Sequence, residues 1–426
     1  MTLPDHDPQD TSSNIEQLRR FRAGFYQCLT RWPDAGFELV DAVLSSPAPV
    51  GSIPALSLEP VFRRSHGSLY KALARGGIDA AKMRDLLVAH RPADWPLVFA
   101  VDASTWARCD AETSPERGFY YSASTHSAGK PIVAGWSYQW ITQLDWAHNS
   151  WTAPTEVAPL FVFDAGYDAP ALTDTLTGVD ANLVVRIRDD RVFYTDPEST
   201  GDVTTGRPRR HGERRKCGEP ATWPAPDEVS VSTDPRYGAV RASAWHGLHP
   251  RLGCRGHWAG YDVPPIVRGT IIRVDVEHLP KQSGGIKKTL WLWAAGSALD
   301  VETCWRGYLR RFDIEHTFRF IKNTLGWTAP AFCTPEQADR WTWMIAAAYT
   351  QLRLARPVVE DIRMPWERRR KPGRLTPARV RRGFRRLSPI LNTPASPPKR
   401  SKAGPGRPKG TQKERRTRYP AIKKAA

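Results

Sequence analysis

Tyr308, Arg311, Glu315 and Lys322 fall in one segment whose pattern reads as a single helix from about residue 301 to 323, with Asp300 as its N-cap. At 100° per residue they sit at about 0°, 300°, 340° and 320° around the axis, so all four share one face. One carboxylate flanked by Arg, Lys and Tyr can ligate a metal and grip phosphate oxygens in a single row. Asp313, at about 140°, points to the other side. The same spacing also suits a solvated face laced with charge pairs, and spacing alone favours that second reading.

Two further carboxylates follow apolar runs of strand length. Leu97 to Val101 ends on Asp102, and Leu160 to Phe163 ends on Asp164. Two such strands in one sheet would set both carboxylates side by side on its rim. Other predicted elements are strands at Gly118 to Ser124, Ile132 to Leu144, Leu183 to Tyr194, Ala239 to Trp245, Gly269 to Val276 and Thr289 to Ala295. A helix is expected from Ala169 to Leu176, with Asp168 as its cap rather than a ligand. Another runs from the capping box at Thr334 to Gln337 as far as about Arg356.

The spacing Y-x2-R-x3-E-x6-K at Tyr308, Arg311, Glu315 and Lys322 resembles the signature of bacterial transposases of the insertion-sequence-4 group. Val98 to Asp102 and Phe163 to Tyr167 are similar to the first and second acidic motifs of those enzymes, and the insertion-sequence-701-like branch is the nearest in pattern. The likeness covers about residues 15 to 357, with the specificity carried by the three acidic motifs. It implies an α/β fold: a ribonuclease-H-like catalytic core interrupted by a mostly β insertion. It also implies that Asp102, Asp164 and Glu315 are catalytic and hold two Mg²⁺ ions, with Mn²⁺ as a substitute. Those ions would activate water or a 3′-hydroxyl and stabilise the leaving oxygen of a phosphodiester. Tyr308, Arg311 and Lys322 would hold phosphates. The implied partner is double-stranded DNA, as element ends and as target, bound by a homodimer in the synaptic complex, with no organic cofactor.

These expectations divide the chain into a helical, DNA-binding segment (1–95), a first part of the core (96–195), a β-rich insertion (196–287), a second part of the core with the glutamate helix (288–357) and a basic, largely disordered tail (358–426). Within the first segment, helices are predicted at 14–30, 34–44, 58–64, 67–74 and 80–89. Ser65 to Ser68 could form the turn of a helix-turn-helix presenting Tyr70, Lys71 and Arg75 to DNA, or the helices could simply pack together. Residues from Glu367 onward hold 21 of the 62 Lys and Arg but only 2 of the 44 acids, so a net charge of +18 is concentrated at one end. Such a block suits a polyanion, or serves as a solvated tail. Gly404 to Gly410 resembles an AT-hook, whose Arg407 and Lys409 would contact a narrow minor groove.

The remaining features narrow the class. No apolar run approaches the roughly 18 residues of a membrane span, and the acidic, proline-bearing start is unlike a secretory leader. The six cysteines are scattered without a C-x-x-C pair, consistent with reduced thiols and a cytoplasmic, nucleoid-associated protein. His246, His249, Cys254 and His257, with Cys217 upstream, do not follow a zinc spacing. Trp291, Trp293 and Phe312 lie near the motif and could stack on an unpaired base or pack in the core.

Overall fold

The computed structural model describes residues 8–121, 132–147, 151–154, 160–198, 209–279, 289–296, 299–370, 373–399, 410 and 416–422. Five helices open it: α1 (Pro8–Cys28), α2 (Pro33–Ser45), α3 (Ile53–Leu56), α4 (His66–Arg75) and α5 (Ala80–Ala89). Two short strands, β1 (Leu29–Arg31) and β2 (Gly77–Ile78), pair between them. The predicted helix at 58–64 is a run of turns; Pro60 sits inside it, and the single helical turn falls earlier, at α3. Ser65 to Ser68 is not an interhelical turn either. Ser65 is the N-cap of α4, and the next three residues are its first turn, leaving Tyr70, Lys71 and Arg75 exposed.

Strands β3 (Val98–Ala107), β4 (Gly118–Tyr121), β5 (Ile132–Gln143), β6 (Ala153–Pro154), β7 (Leu160–Phe163) and β8 (Asn182–Ile187) follow, with α6 (Ala169–Thr175) between the last two. Then come β9 (Val192–Tyr194), β10 (Arg214–Lys216), β11 (Glu228–Asp234), β12 (Gly238–Leu248), β13 (Gly269–Val276) and β14 (Thr289–Ala295). One mixed sheet runs in the order β11-β12-β13-β14-β8-β7-β3-β5-β4, with β6 on β5. The antiparallel β4-β5-β3 unit continues into β7 and β8, both parallel to β3, and this large mixed sheet fits a ribonuclease-H-like fold. Ser122 to Ser124, the end of one predicted strand, lie outside the described residues.

Three sequence expectations for the sheet need correction. β3 does not stop at Asp102; it runs on to Ala107 because β5 pairs with it throughout, from Phe99 opposite Gln143 to Ala107 opposite Gly135. The predicted strand 183–194 is two strands, and β9 turns away to pair with β10 in a separate ribbon. The β-rich stretch is not a body apart from the core. β11, β12 and β13 are hydrogen-bonded through β14 to β8, so they extend the core sheet.

The glutamate segment is also two helices, α7 (Val301–Arg311) and α8 (Asp313–Asn323), separated at Phe312. They lie on one sheet face, and α9 (Pro335–Ala355) packs behind them against α1 and α2. The capping box of α9 does not close: the Thr334 hydroxyl makes no capping bond, and Gln337 Oε1 accepts instead from the N–H of Cys333, one residue before the cap, at 3.0 Å.

The described part of the tail is folded, where the sequence suggested disorder. α10 (Pro377–Phe384) and α11 (Ser388–Leu391) bury Val380, Phe384 and Leu391 in the same core as α1, α2 and α9. Two of its cations are internal: Arg381 donates to the carbonyls of Val43 and Ala48 at 3.0 Å each, and Arg379 pairs with Asp361 at 3.0 Å. Residues 416–422 return to the sheet edge, where the N–H groups of Tyr419 and Ile422 donate to the carbonyls of Glu112 and Arg117. Arg407 and Lys409 lie outside the described residues. No described helix is long and apolar enough to cross a membrane.

α7 lies close on β3 and β7 because Gly307 has no side chain. A Cβ there would stand 2.8 Å from Val98 Cγ1 and 3.2 Å from Val162 Cγ2, both stiff and buried. Gly307→Val is expected to lift α7 and destabilise the protein by about 1–3 kcal/mol through overpacking. A urea midpoint equal to or above that of the wild type would contradict this.

Candidate active site

Asp102 and Asp164 meet through the parallel register of β3 and β7. Val98 lies opposite Leu160 and Ala100 opposite Val162, so two residues further on Asp102 stands level with Asp164. Alternation puts both on the face of Val98, Ala100 and Val162, under α7. Each carboxylate accepts a nearby backbone N–H at 2.8 Å, Asp102 from Ala103 and Asp164 from Gly166. Glycine at 166 permits that approach, since a Cβ there would come within 3.0 Å of the Asp164 oxygen.

Glu315 and the phosphate-gripping candidates arrive from the opposing helices. Arg311 Nη1 donates to Asp102 Oδ2 at 3.3 Å, and its other nitrogen pairs with Glu315 Oε1 at 3.5 Å. One guanidinium therefore bridges the sheet rim and the helix. Tyr308 lies close enough to act electrostatically on Arg311, and Asp102 acts likewise on Lys322, whose ammonium sits 5.8 Å from the Trp327 ring centre. Asp102, Asp164, Glu315, Tyr308, Arg311 and Lys322 are thus brought into one neighbourhood, across a helix break that the sequence pattern did not show.

The break has a visible cause outside the helices. The Tyr237 hydroxyl donates to the Leu309 carbonyl at 3.3 Å, beside two buried ion pairs, Arg310 with Asp234 at 3.2 Å and Arg236 with Asp313 at 2.9 Å. These partners come from the β11–β12 turn and engage the last turn of α7 and the first of α8. Asp313 faces away from the cluster, as its angular position predicts. On α8, Thr317 meets Thr152 at 2.9 Å and Tyr349 at 3.3 Å, fixing the side that carries no site residue.

The electrostatics are those of acids gathered in a partly dry place. Burial raises the Asp102 carboxyl above its ordinary range; Arg311 opposes that and Asp164 adds to it. Glu315 is raised in the same way, by burial first, against the pull of Arg311 and with the charges of Asp102 and Asp164 adding. Burial also pulls Arg311 down, but Tyr308 and the three acids outweigh it, so its pKa stands above the usual value. Burial lowers Lys322.

Two carboxylates on the sheet rim and a third from the facing helix are the right donors for a hard divalent cation that keeps waters and takes substrate oxygens as ligands. Their oxygens do not converge on one point in this arrangement, and among the described residues no group of His, Cys, Asp and Glu forms a closed metal cluster. Arg311 stands between Asp102 and Glu315, supplying positive charge there. The donor set and its charge fit a cation, provided that Arg311 turns toward a substrate phosphate.

The other candidates separate clearly. Asp168 caps α6, accepting from the Ala171 N–H at 3.2 Å. Trp291 and Trp293 are core residues, the first stacked on Trp223 at 4.9 Å. Phe312, 44% exposed at the helix break, remains open to a partner. The zinc-like cluster is dispersed: His246 bonds Thr270, His249 bonds His211 and His257 bonds Asp174. All six cysteines are unpaired.

A carboxyl with a raised folded-state pKa contributes stability below its unfolded value and loses it as pH rises through the folded one. For metal-free protein, Glu315→Gln is therefore expected to melt above the wild type near pH 7.5, with the gap closing below about pH 4. An equal or lower melting temperature at pH 7.5 would contradict the assigned shift.

No curated protein matches the chain. A family model described as DDE superfamily endonuclease matches residues 24–157 and 142–251. Together these segments span more than half of the 426 residues and include Asp102 and Asp164, while Glu315 lies beyond them. The chain belongs to the DDE superfamily endonucleases.

Proposed function

We propose that the protein is the transposase of a bacterial insertion sequence, which binds the terminal inverted repeats of its element, cuts there and joins the freed ends to target DNA. The observation that carries this reading is the gathering of Asp102, Asp164 and Glu315, from two strands and a helix, around Arg311. The Y-R-E-K spacing supports assignment to the insertion-sequence-4 group, and the insertion-sequence-701-like pattern supports that branch.

In this reading Asp102, Asp164 and Glu315 would hold Mg²⁺, which when bound supplies Lewis acidity to a phosphodiester oxygen and to the attacking water or 3′-hydroxyl. Arg311 then exchanges its carboxylate partners for two phosphate oxygens, a geometry its planar fork suits. Lys322, partly buried against Trp327, adds a cation whose charge is poorly screened by solvent. Tyr308 flanks Arg311 and offers a hydroxyl to a phosphate oxygen. The helices before β3, with Tyr70, Lys71 and Arg75 exposed on α4, serve as a DNA-binding region, and two protomers hold the paired ends.

A binding protein on the same fold, or a nuclease with another nucleic-acid substrate, is the alternative; the three grouped acids favour catalysis, since carboxylates beside phosphates weaken simple binding. Glu315→Gln is expected to bind duplexes from the gene's own flanks as the wild type does, while Mg²⁺-dependent cleavage falls below roughly a hundredth. Cleavage at the wild-type rate would overturn the assignment. Replacing Arg407 and Lys409 by Ala should weaken binding to AT-rich duplex and flatten its salt dependence, by about 0.9 in log–log slope for each phosphate no longer neutralised. An unchanged slope would show that this motif does not grip the backbone.

A further inference from the structure

On the opposite face of the sheet from the carboxylates, at the same rim, lies a cavity of about 580 Å³. The loop after β7 forms one wall: Gly166 and Tyr167 line it, and Gly166 is the residue whose N–H binds Asp164. Tyr167 links the two sides, since Asp102 and Asp164 both act on its hydroxyl while its ring borders the cavity. Five arginines line the space: Arg186, Arg188 and Arg191 from β8 and the turn into β9, with Arg251 and Arg255 from the segment after β12. Two carboxylates oppose them, and Asp168 is already occupied in capping α6. Among the described residues none of the five arginines forms an ion pair within 4 Å, and all five are exposed. Trp258 and Trp293 close the bottom of the cavity from the core beneath it.

Five cations around one concave space, against two carboxylates, make a local excess of positive charge that favours a polyanion. We propose that this cavity grips the sugar–phosphate backbone of the DNA strand next to the phosphodiester that reacts, as the strand crosses the rim beside Asp164. The proposal rests on the reading of the protein as a DNA-cleaving enzyme and adds a second phosphate site, separate from Tyr308, Arg311 and Lys322. Guanidinium forks suit paired phosphate oxygens, and contacts to the backbone alone do not choose a sequence. The grip is accordingly independent of sequence and sensitive to salt.

The test compares the full-length protein with a triple variant, Arg188→Ala, Arg191→Ala and Arg251→Ala, and with the matching triple Arg→Lys variant. All three positions are exposed at their side chains, so the fold is expected to persist, and the Lys variant controls for it. Binding to a duplex from the gene's flanks is measured over a range of salt, alongside Mg²⁺-dependent cleavage by the wild type and by Glu315→Gln. The Ala variant should bind at least about tenfold more weakly at about 0.1 M salt, and its log–log slope should fall by about 0.7–0.9 for each phosphate released, while the Lys variant keeps the wild-type slope. A wild-type slope in the Ala variant overturns the proposal, even where Glu315→Gln abolishes cleavage and the enzyme reading stands. Displacement of a fluorescent nucleotide by thymidine monophosphate in the wild type alone, with no change in the DNA slope, would assign the cavity to a free nucleotide and also overturn it. A changed slope in a wild-type protein that never cuts would instead overturn the enzyme reading and retain the cavity as a DNA-binding surface.

Discussion

Asp102, Asp164 and Glu315 repel one another at the rim of the sheet, and the shape of the site follows from how that repulsion is contained. Arg311 contains it, bonded to Asp102 and paired with Glu315 while Asp164 acts on it from nearby. In a half-buried place such interactions are worth far more than at the surface, and breaking one leaves a charge poorly solvated. The arginine can hold this position only if α7 lies close to β3 and β7. Gly307 provides that closeness, and the β11–β12 turn fixes the end of α7 by engaging Arg310 and Leu309.

The extended sheet acquires a mechanical meaning from the same turn. β11, β12 and β13 join the core edge through β14, and the turn between the first two reaches over to the break between α7 and α8. The strands added to the edge of the core therefore set the direction of the helix that carries Glu315. At the other end of the chain, α10 and α11 close the helical layer around α9, with arginines serving as hydrogen-bond donors to buried carbonyls. A count of charges along the tail cannot distinguish such arginines from solvated ones, which is why the sequence suggested disorder there.

Much of the site was legible because its determinants are local. Apolar runs ending in Asp102 and Asp164, the angular grouping of Tyr308, Arg311, Glu315 and Lys322, and the outward angle of Asp313 all follow from strand and helix periodicity. What was hidden depends on distant partners. β3 continues past Asp102 because β5 pairs with it, a fact absent from residues 98–107 alone. No proline or glycine marks the break at Phe312; the side chains of residues 234–237 impose it. The arginines of the cavity come from two stretches more than fifty residues apart, each unremarkable by itself.

The central claim is that three carboxylates from separate elements act as one cation site. Its most direct test is the binding of Mn²⁺, followed by loss of the free-ion electron paramagnetic resonance signal, in the wild type and in Asp102→Asn, Asp164→Asn and Glu315→Gln, with uncleaved flanking duplex present to supply phosphate oxygens. The account predicts saturable Mn²⁺ uptake by the wild type and weakening in each of the three variants, since each contributes ligands to the same ions. Uptake that is indifferent to all three substitutions would contradict it.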